Sequence, residues 1–324
     1  MPHPETVASL TADDAAAVRS LASAAREHDG IEALGEQTLL WLTDARARVT
    51  HLVAREDEDA AGATGGAVVG YTQVDLGGPT AAPASAEVVV APGHRCQGVG
   101  RALLDAATAA ARDAGRPGVV VWAHGDLPGA QALAAAAGLR VTRELWQMAR
   151  PLSPADAAGD PPAPPDGVAV RPFVVGRDED AWVEVNARAF ASHPEQGRLT
   201  RADVEARERE PWFDPADLLL AERDGRLVAS VWMKVEPGAD AGELYALAVD
   251  PVEQGTGLGR FLTGAVVRHL AGKGLARAEL YVEGDNEPAI RTYVRAGFER
   301  SRVDVQYGAS VSAEGAGGPA GAAG

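Results

Sequence analysis

Apolar positions along the chain recur with two different periods, and the alternation of those periods predicts its elements. A helical period opens after Thr11, a good capping residue, with Asp13 and Asp14 in the first turn, and predicts a helix over residues 12–27. A second helix is expected over 37–45. Strands are expected at 51–55, 67–74 and 87–91, separated by polar loops at 56–66 and 76–85. Then come a helix to about residue 114, a strand at 118–122, a helix at 131–137 and closing strands to 150. The same succession returns: a strand at 168–172, helices at 179–190 and 201–210, and strands at 218–222, 227–235 and 244–250. A helix to about 270, a strand at 279–283, a helix at 288–296 and closing strands over 298–307 complete it. This order predicts an α+β fold used twice, each copy a mixed, largely antiparallel sheet flanked by helices.

Residues 151–167 (PLSPADAAGDPPAPPDG) hold too many prolines for regular hydrogen-bonded structure, and residues 309–324 are of low complexity. The expected organisation is a first domain over 1–150, a linker over 151–167, a second domain over 168–308 and a disordered tail over 309–324. The halves are repeats. Pro92 and Pro251, Gly98 and Gly257, Gly100 and Gly259, Arg101 and Arg260, and Gly138 and Gly297 all lie 159 apart (251 − 92). On that register Glu243 falls opposite Ala84, Gln254 opposite Arg95, Asn286 opposite Leu127 and Tyr293 opposite Ala134. The first half lacks proton-transfer groups at these places, so the chemistry is expected in the second half.

The repeat is richest around LAVDPVEQGTGLGR, residues 247–260. A short apolar run breaks at Asp250-Pro251, passes Gly255, Gly257 and Gly259, and becomes a helix. Glycines there let successive N–H groups converge at the positive end of a helix dipole, a setting for a pyrophosphate. The dinucleotide fingerprint fails because Arg260 stands where its third glycine belongs, and the ATP-type loop fails for want of Gly-Lys-Ser/Thr. The spacing that fits is Gln254-x-x-Gly257-x-Gly259. It resembles the acyl-CoA loop of the GNAT family of N-acetyltransferases, as Asn286-x-x-Ala289-x-x-x-Tyr293-x-x-x-Gly297-Phe298 resembles that family's second signature.

Composition narrows the partners. A length of 324 residues suits two domains, and a formal net charge of −16 argues against nucleic acid, which needs clustered positive charge. An anionic cofactor must then be met locally, by loop amides and by arginines such as Arg101 and Arg260, while an acidic surface is congenial to a cationic amine. No apolar run has the length of a signal peptide core or a membrane span, so a cytoplasmic protein with no membrane partner is expected, as a monomer. One cysteine, Cys96, excludes an internal disulfide and a multi-cysteine zinc site; it reads as a spectator thiol, and no metal is expected.

Further strings narrow the resemblance. GEQ at 35–37, HPEQG at 193–197, the lysine of VWMKV, GELYALAVDP at 242–251, LYVEGDN at 280–286 and RTYVRAGF at 291–298 together resemble the mycothiol synthases, a family of tandem GNAT proteins. The resemblance covers all but the linker composition and the tail. It implies transfer of acetyl from acetyl-CoA to the cysteinyl amine of cysteinyl-glucosaminyl-inositol. It also implies a general base at Glu243 and a general acid at Tyr293. Leu247, Ala248 and Val249 would hold the acetyl carbonyl through their amides. Gln254, Gly255, Thr256, Gly257, Leu258, Gly259 and Arg260 would bind the pyrophosphate, with Asn286, Glu287, Pro288, Ala289, Ile290 and Arg291 lining the pantetheine side. In the first half Val88, Val89 and Val90, with Arg95, Cys96, Gln97, Gly98, Val99 and Gly100, would form a second, non-catalytic acetyl-CoA site. The sugar acceptor would meet Glu36, Glu195, Lys234, Glu243 and Tyr281. Two alternatives remain at this stage: a GNAT enzyme for another amine, such as an aminoglycoside or a protein N-terminus, and a non-catalytic CoA-binding sensor.

Overall fold

The computed structural model describes residues 4–56, 66–191 and 196–309. The chain divides into two compact units, Met1–Glu144 with Val303–Gly324, and Leu145–Arg302. In the first unit β1 (Glu5–Val7), α1 (Ala12–Asp29) and α2 (Glu36–Leu40) precede β2 (Val49–Arg55), β3 (Val68–Asp75) and β4 (Ala84–Val90). Then come α3 (Val99–Asp113), β5 (Val119–Ala123), α4 (Pro128–Ala136) and the start of β6 (Arg140–Pro151). Thr11 caps α1 as expected, its hydroxyl accepting the Asp14 N–H at 3.1 Å. Helix α2 stops at Leu40, well short of residue 45. Beyond it Asp44 takes the Arg46 N–H at 2.9 Å, a local turn that competes with further helix.

The second unit begins with the rest of β6 and continues through α5 (Pro154–Ala157), β7 (Val168–Pro172), α6 (Glu179–Ala189), α7 (Arg201–Arg207), β8 (Leu218–Arg223) and β9 (Arg226–Lys234). It is completed by β10 (Ala241–Val249), α8 (Leu258–Gly272), β11 (Arg277–Glu283), α9 (Glu287–Arg295) and the start of β12 (Glu299–Gly308). The strand order is β1-β2-β3-β4-β5-β12 in the first unit and β7-β8-β9-β10-β11-β6 in the second. Only β4 with β5 and β10 with β11 run parallel among these described pairings.

Two features depart from the division read off the sequence. The units are not contiguous halves, because the end of β12 pairs with β5 (Val305 opposite Ala123) and β6 from Leu145 onward pairs with β11. The strand set of each unit therefore includes a strand from the other half of the sequence. The proline-rich segment is not devoid of structure either: α5 forms there, with Pro154 in its first turn, where no N–H is needed, and Ser153 and Asp156 capping each other. Arg268 of α8 ties the segment down through the Ala158 carbonyl at 3.0 Å. Residues 310–324 of the expected tail lie outside the described residues.

Both sheets are covered on both faces. In the first unit α3 packs Leu103 and Ala107 on Leu52 and Ala86, while α1 packs Val18 and Leu21 on Val53, Tyr71 and Val89. In the second, α8 and α9 bring Leu262, Val266 and Tyr293 onto Val231, Leu244 and Leu280. The opposite face carries Trp182 of α6 with Trp212, Trp232 and Tyr245. Among the described residues no helix is long and apolar enough to cross a membrane.

Candidate active site

The site of the second unit starts as a fork between parallel strands. β10 and β11 pair from Ala241 opposite Arg277 to Leu244 opposite Leu280, and there the ladder ends. Beyond it β10 pairs only with β9, and β11 only with β6. A bulge at Tyr245 coincides with the split: Leu244 faces Met233 and Ala246 faces Trp232, leaving Tyr245 unmatched. The strand edge from Tyr245 to Val249 is thus turned toward an opening, where an extended chain such as pantetheine can add as a strand would. Leu247, Ala248 and Val249 lie along this edge.

At the open end of the fork the chain turns through Asp250-Pro251 into α8. Asp250 is buried; burial pushes its carboxyl up, but the Val252 amide and Arg188, helped by Arg226, outweigh that and hold it below the usual range. Gly257 caps α8 at φ 92 with no side chain bonded to the first-turn N–H groups, and Gly255 also has positive φ. A Cβ added at Gly255, Gly257 or Gly259 would meet nothing within 4 Å, so the loop is open in front of uncapped amides. That geometry suits a pyrophosphate. Arg260 is exposed beside it.

The helix after β11 is capped by Asn286, whose Oδ1 accepts the Ala289 N–H at 3.2 Å. Glu287 and Arg291 pair across one turn at 2.8 Å, and Pro288 occupies the first turn. Ala289 and Ile290 pack against the α8 core cluster. So does Tyr293, at 6 % exposure, with its ring 6.1 Å from that of Phe298 and its phenol pushed up to about 12 by burial.

Glu243 lies on the other face of the sheet. It alternates with Leu244, which faces α8, and is therefore directed to the side carrying α6 and α7. Lys234 stands directly opposite it on β9, with its ammonium 2.9 Å from Glu236 and 5.3 Å from the centre of the Trp212 ring. Tyr281 alternates with the inward Leu280 and Val282 and so shares the Glu243 face; its hydroxyl accepts from Gln147 at 3.3 Å. Three expected acceptor residues thus come together on adjacent strands, with the base and acid candidates on opposite faces of the fork. Glu195 lies outside the described residues, and Glu36 opens α2 in the first unit.

Sequence reasoning missed the aromatic group beside Glu243. The bulge residue Tyr245 sits 5.5 Å from both Trp212 and Trp232, and its hydroxyl accepts from Arg207 Nε at 2.9 Å. The bulge also corrects the repeat register. Glu243 is level with Lys234 and Glu279, as Ser85 is with Asp75 and Val120, so the counterpart of Glu243 is Ser85 rather than Ala84.

The first unit keeps the fork and the loop. β4 pairs with β5 only as far as Glu87 opposite Trp122, leaving Val88, Val89 and Val90 paired with β3 alone. Gly98 caps α3 at φ 87 with no side-chain bond, and Val99 and Gly100 follow it into the helix. Cys96 occupies the left-handed position that Gly255 fills in the second unit, at φ 60. Side chains here have other partners. Arg95 forms a two-pronged pair with Asp29 at 2.8 and 2.7 Å, Gln97 bonds the Gly93 carbonyl at 2.9 Å, and Arg101 pairs with Asp105 at 2.9 Å. Any anion at this loop is met by backbone amides. Among the described residues no group of three or more His, Cys, Asp and Glu side chains could hold a metal ion.

Two family models match: the acetyltransferase (GNAT) family over residues 182–298 and an acetyltransferase (GNAT) domain over 47–138. The chain is 54% identical over 313 residues to a mycothiol acetyltransferase of Cellulomonas flavigena, covering 92% of this chain and 85% of that one. The chain belongs to the mycothiol acetyltransferase family. A mycothiol acetyltransferase of Sanguibacter keddieii is 52% identical, with 92% and 93% of the two chains covered. Among solved structures, a GCN5-related N-acetyltransferase from Sphaerobacter thermophilus superposes with a TM-score of 0.69 at 25% identity over 94% of each chain. A tandem GNAT protein from the clavulanic acid pathway gives 0.67 at 21% identity over 95% of this chain and 97% of that one, a likeness of fold. The α+β tandem GNAT architecture expected of the sequence is thus shown, and acetyl-CoA is the co-substrate of such enzymes.

Proposed function

We propose that this chain transfers the acetyl group of acetyl-CoA to the cysteinyl amine of cysteinyl-glucosaminyl-inositol, giving mycothiol and CoA, with catalysis in the second unit. The acceptor follows from the family; the chemistry rests on the β10–β11 fork, with Glu243 toward one face and Tyr293 toward the other. Acetyl-CoA supplies the acetyl group as an activated thioester. Glu243 takes a proton from the acceptor ammonium, directly or through water, freeing the nitrogen lone pair to form the new C–N bond. The amides of Leu247 to Val249 stabilise the charge that develops on the carbonyl oxygen. Tyr293 gives its proton to the sulfur as the C–S bond breaks.

The loop from Gln254 to Arg260 holds the pyrophosphate, and Asn286 to Arg291 line the pantetheine side. Glu36, Glu195, Lys234 and Tyr281 hold the acceptor through its ammonium and hydroxyl groups. The corresponding loop of the first unit, Arg95 to Gly100 with Val88 to Val90, binds a second acetyl-CoA without turning it over. The enzyme acts in the cytoplasm as a monomer on small molecules, with no nucleic acid or membrane partner; its net charge of −16 supports the exclusion of nucleic acid.

The test is CoA release measured chromatographically, since the acceptor carries a thiol of its own, with a panel of amines. Turnover is expected with cysteinyl-glucosaminyl-inositol and to fall by roughly 10² to 10⁴ in Glu243→Gln, the usual contribution of general base catalysis. Equal or faster turnover with an aminoglycoside antibiotic or a basic peptide would overturn the acceptor; full activity of folded Glu243→Gln would overturn the base.

A further inference from the structure

Three partly or fully enclosed charged groups of the first unit have no part in the chemistry above. They are Glu87 on β4, His124 just beyond β5 and Asp304 on β12, with side chains only 14 %, 19 % and 15 % exposed. The imidazole lies between the two carboxylates, Nε2 at 3.3 Å from Glu87 and Nδ1 at 3.1 Å from Asp304. Asp304 is fixed in turn by the Gly125 N–H, which donates to it at 2.8 Å.

The other oxygen of Glu87 accepts the N–H of Gly35 at 2.7 Å. Gly35 is the cap residue of α2 and immediately precedes Glu36. A Cβ at Gly35 would fall 2.9 Å from Glu87 Oε1, so the carboxylate approaches this closely because residue 35 has no side chain. One turn further on, Gln73 of β3 donates to the Thr38 carbonyl at 3.1 Å and to the Tyr71 hydroxyl at 3.2 Å, which also meets His51 at 2.7 Å. Helix α2 is five residues long, with Thr38 its one buried residue and Leu40 60 % exposed. Such a helix does not hold its own conformation. Buried Leu34 and Leu42 tether the chain on either side, and the polar bonds from Glu87 and Gln73 fix the helix along its axis and in rotation.

The cluster holds rather than reacts. Burial alone would push His124 down, but its hydrogen bond to Asp304 and the negative charge of Asp304 and Glu87 overcome it and raise the imidazole to about 10. At neutral pH it is an imidazolium and has no lone pair for an amine proton.

We propose that Glu87, braced by His124 and Asp304, is a positioning residue that sets Glu36 for recognition of the cationic, hydroxyl-rich acceptor. This rests on the assignment of Glu36 to the acceptor under Proposed function. Glu87 touches no substrate; it acts through the Gly35 N–H, and its loss lets α2 shift so that Glu36 meets the acceptor less often in the right place.

The experiment compares steady-state constants of the full-length enzyme with Glu36→Gln, Glu87→Ala, Glu87→Gln and Gly35→Ala, varying acceptor and acetyl-CoA separately. Glu87→Ala is expected to raise the acceptor KM about tenfold, within the range for a hydrogen bond to a charged group, with kcat and the acetyl-CoA KM within about twofold of the parent. Glu87→Gln, which keeps an oxygen for Gly35, recovers part of that loss. Gly35→Ala, whose φ of −68° suits any residue, raises the acceptor KM by crowding Glu87, and it decides the matter if Glu87→Ala does not fold. Combining Glu87→Ala with Glu36→Gln is expected to cost no more than Glu36→Gln alone. An unchanged acceptor KM in folded Glu87→Ala or Gly35→Ala, while Glu36→Gln raises it, overturns the positioning role alone. An unchanged acceptor KM in Glu36→Gln overturns the Glu36 assignment and this proposal with it.

Discussion

Tyr293 shows how a side chain can be both core and candidate acid. It is packed against Phe298 within the α8 cluster, which would suffice to explain an aromatic there, yet its position on α9 brings it beside the residues along the fork. Burial holds its phenol to about 12, so it keeps its proton throughout the neutral range and can release it only where negative charge develops nearby. Tyr293→Phe keeps the ring and removes the proton. Turnover should fall by at least tenfold with acetyl-CoA affinity unchanged. Because the folded pKa is raised, the neutral acid persists until the pH approaches that value, and ionisation of Tyr293 should cause no descending limb in kcat below about pH 10. A basic limb near pH 8 to 9 that vanished in Tyr293→Phe would contradict this.

At the scale of elements, long periodic segments were legible and local irregularities were not. Thr11 with Asp13 and Asp14 marked α1 correctly, whereas α2 ended early because Asp44 organises its own turn, a competition that apolar spacing does not register. The two sequence signatures fell where expected, at the starts of α8 and α9. The bulge at Tyr245 was overlooked although its trace is in the sequence: Leu244 faces α8, and so do Leu247 and Val249, so the inward positions change parity along one strand. That single change placed Glu243 opposite Ala84 instead of Ser85. The strand exchange by β6 and β12 left no trace, since pairing partners of equal hydrophobicity cannot be told apart by pattern. Asn286 was read as a cofactor-lining residue, and locally it caps α9. Asn286→Ala should therefore lower stability by about 1 kcal/mol, measured by denaturant unfolding, even without acetyl-CoA; no loss in the free protein would remove the capping role.

At the scale of the whole molecule, the two units share a scaffold but hold their forks differently, and pH can separate them. His124 has the ordinary imidazole value of 6.5 when unfolded and about 10 when folded, so the folded state binds the extra proton between those values. Its contribution is complete below about pH 6.5 and is lost as pH rises through about 10. The melting temperature of the parent should exceed that of His124→Gln most near pH 6, and the gap should close toward pH 10. A gap that widened with pH would show the sign to be wrong. The division of labour between the two loops can be read with a charge placed at the anion site. Gly259 is the second residue of α8, has no positive φ, and faces open space, so Gly259→Asp adds a carboxylate near the pyrophosphate without backbone strain and at a helix position that favours acidic groups. Gly100, its counterpart on α3, would bring a Cβ to 3.4 Å from Leu133, an acceptable contact. Gly259→Asp should reduce turnover by about 10² or more, since two or more kcal/mol of repulsion replaces attraction at a partly dehydrated site. Gly100→Asp should leave turnover within about twofold while calorimetry shows acetyl-CoA stoichiometry falling from two to one. If folded Gly100→Asp lost turnover with one equivalent still bound, the first unit would belong to the catalytic cycle, and the separation of a catalytic from a non-catalytic copy would have to be abandoned.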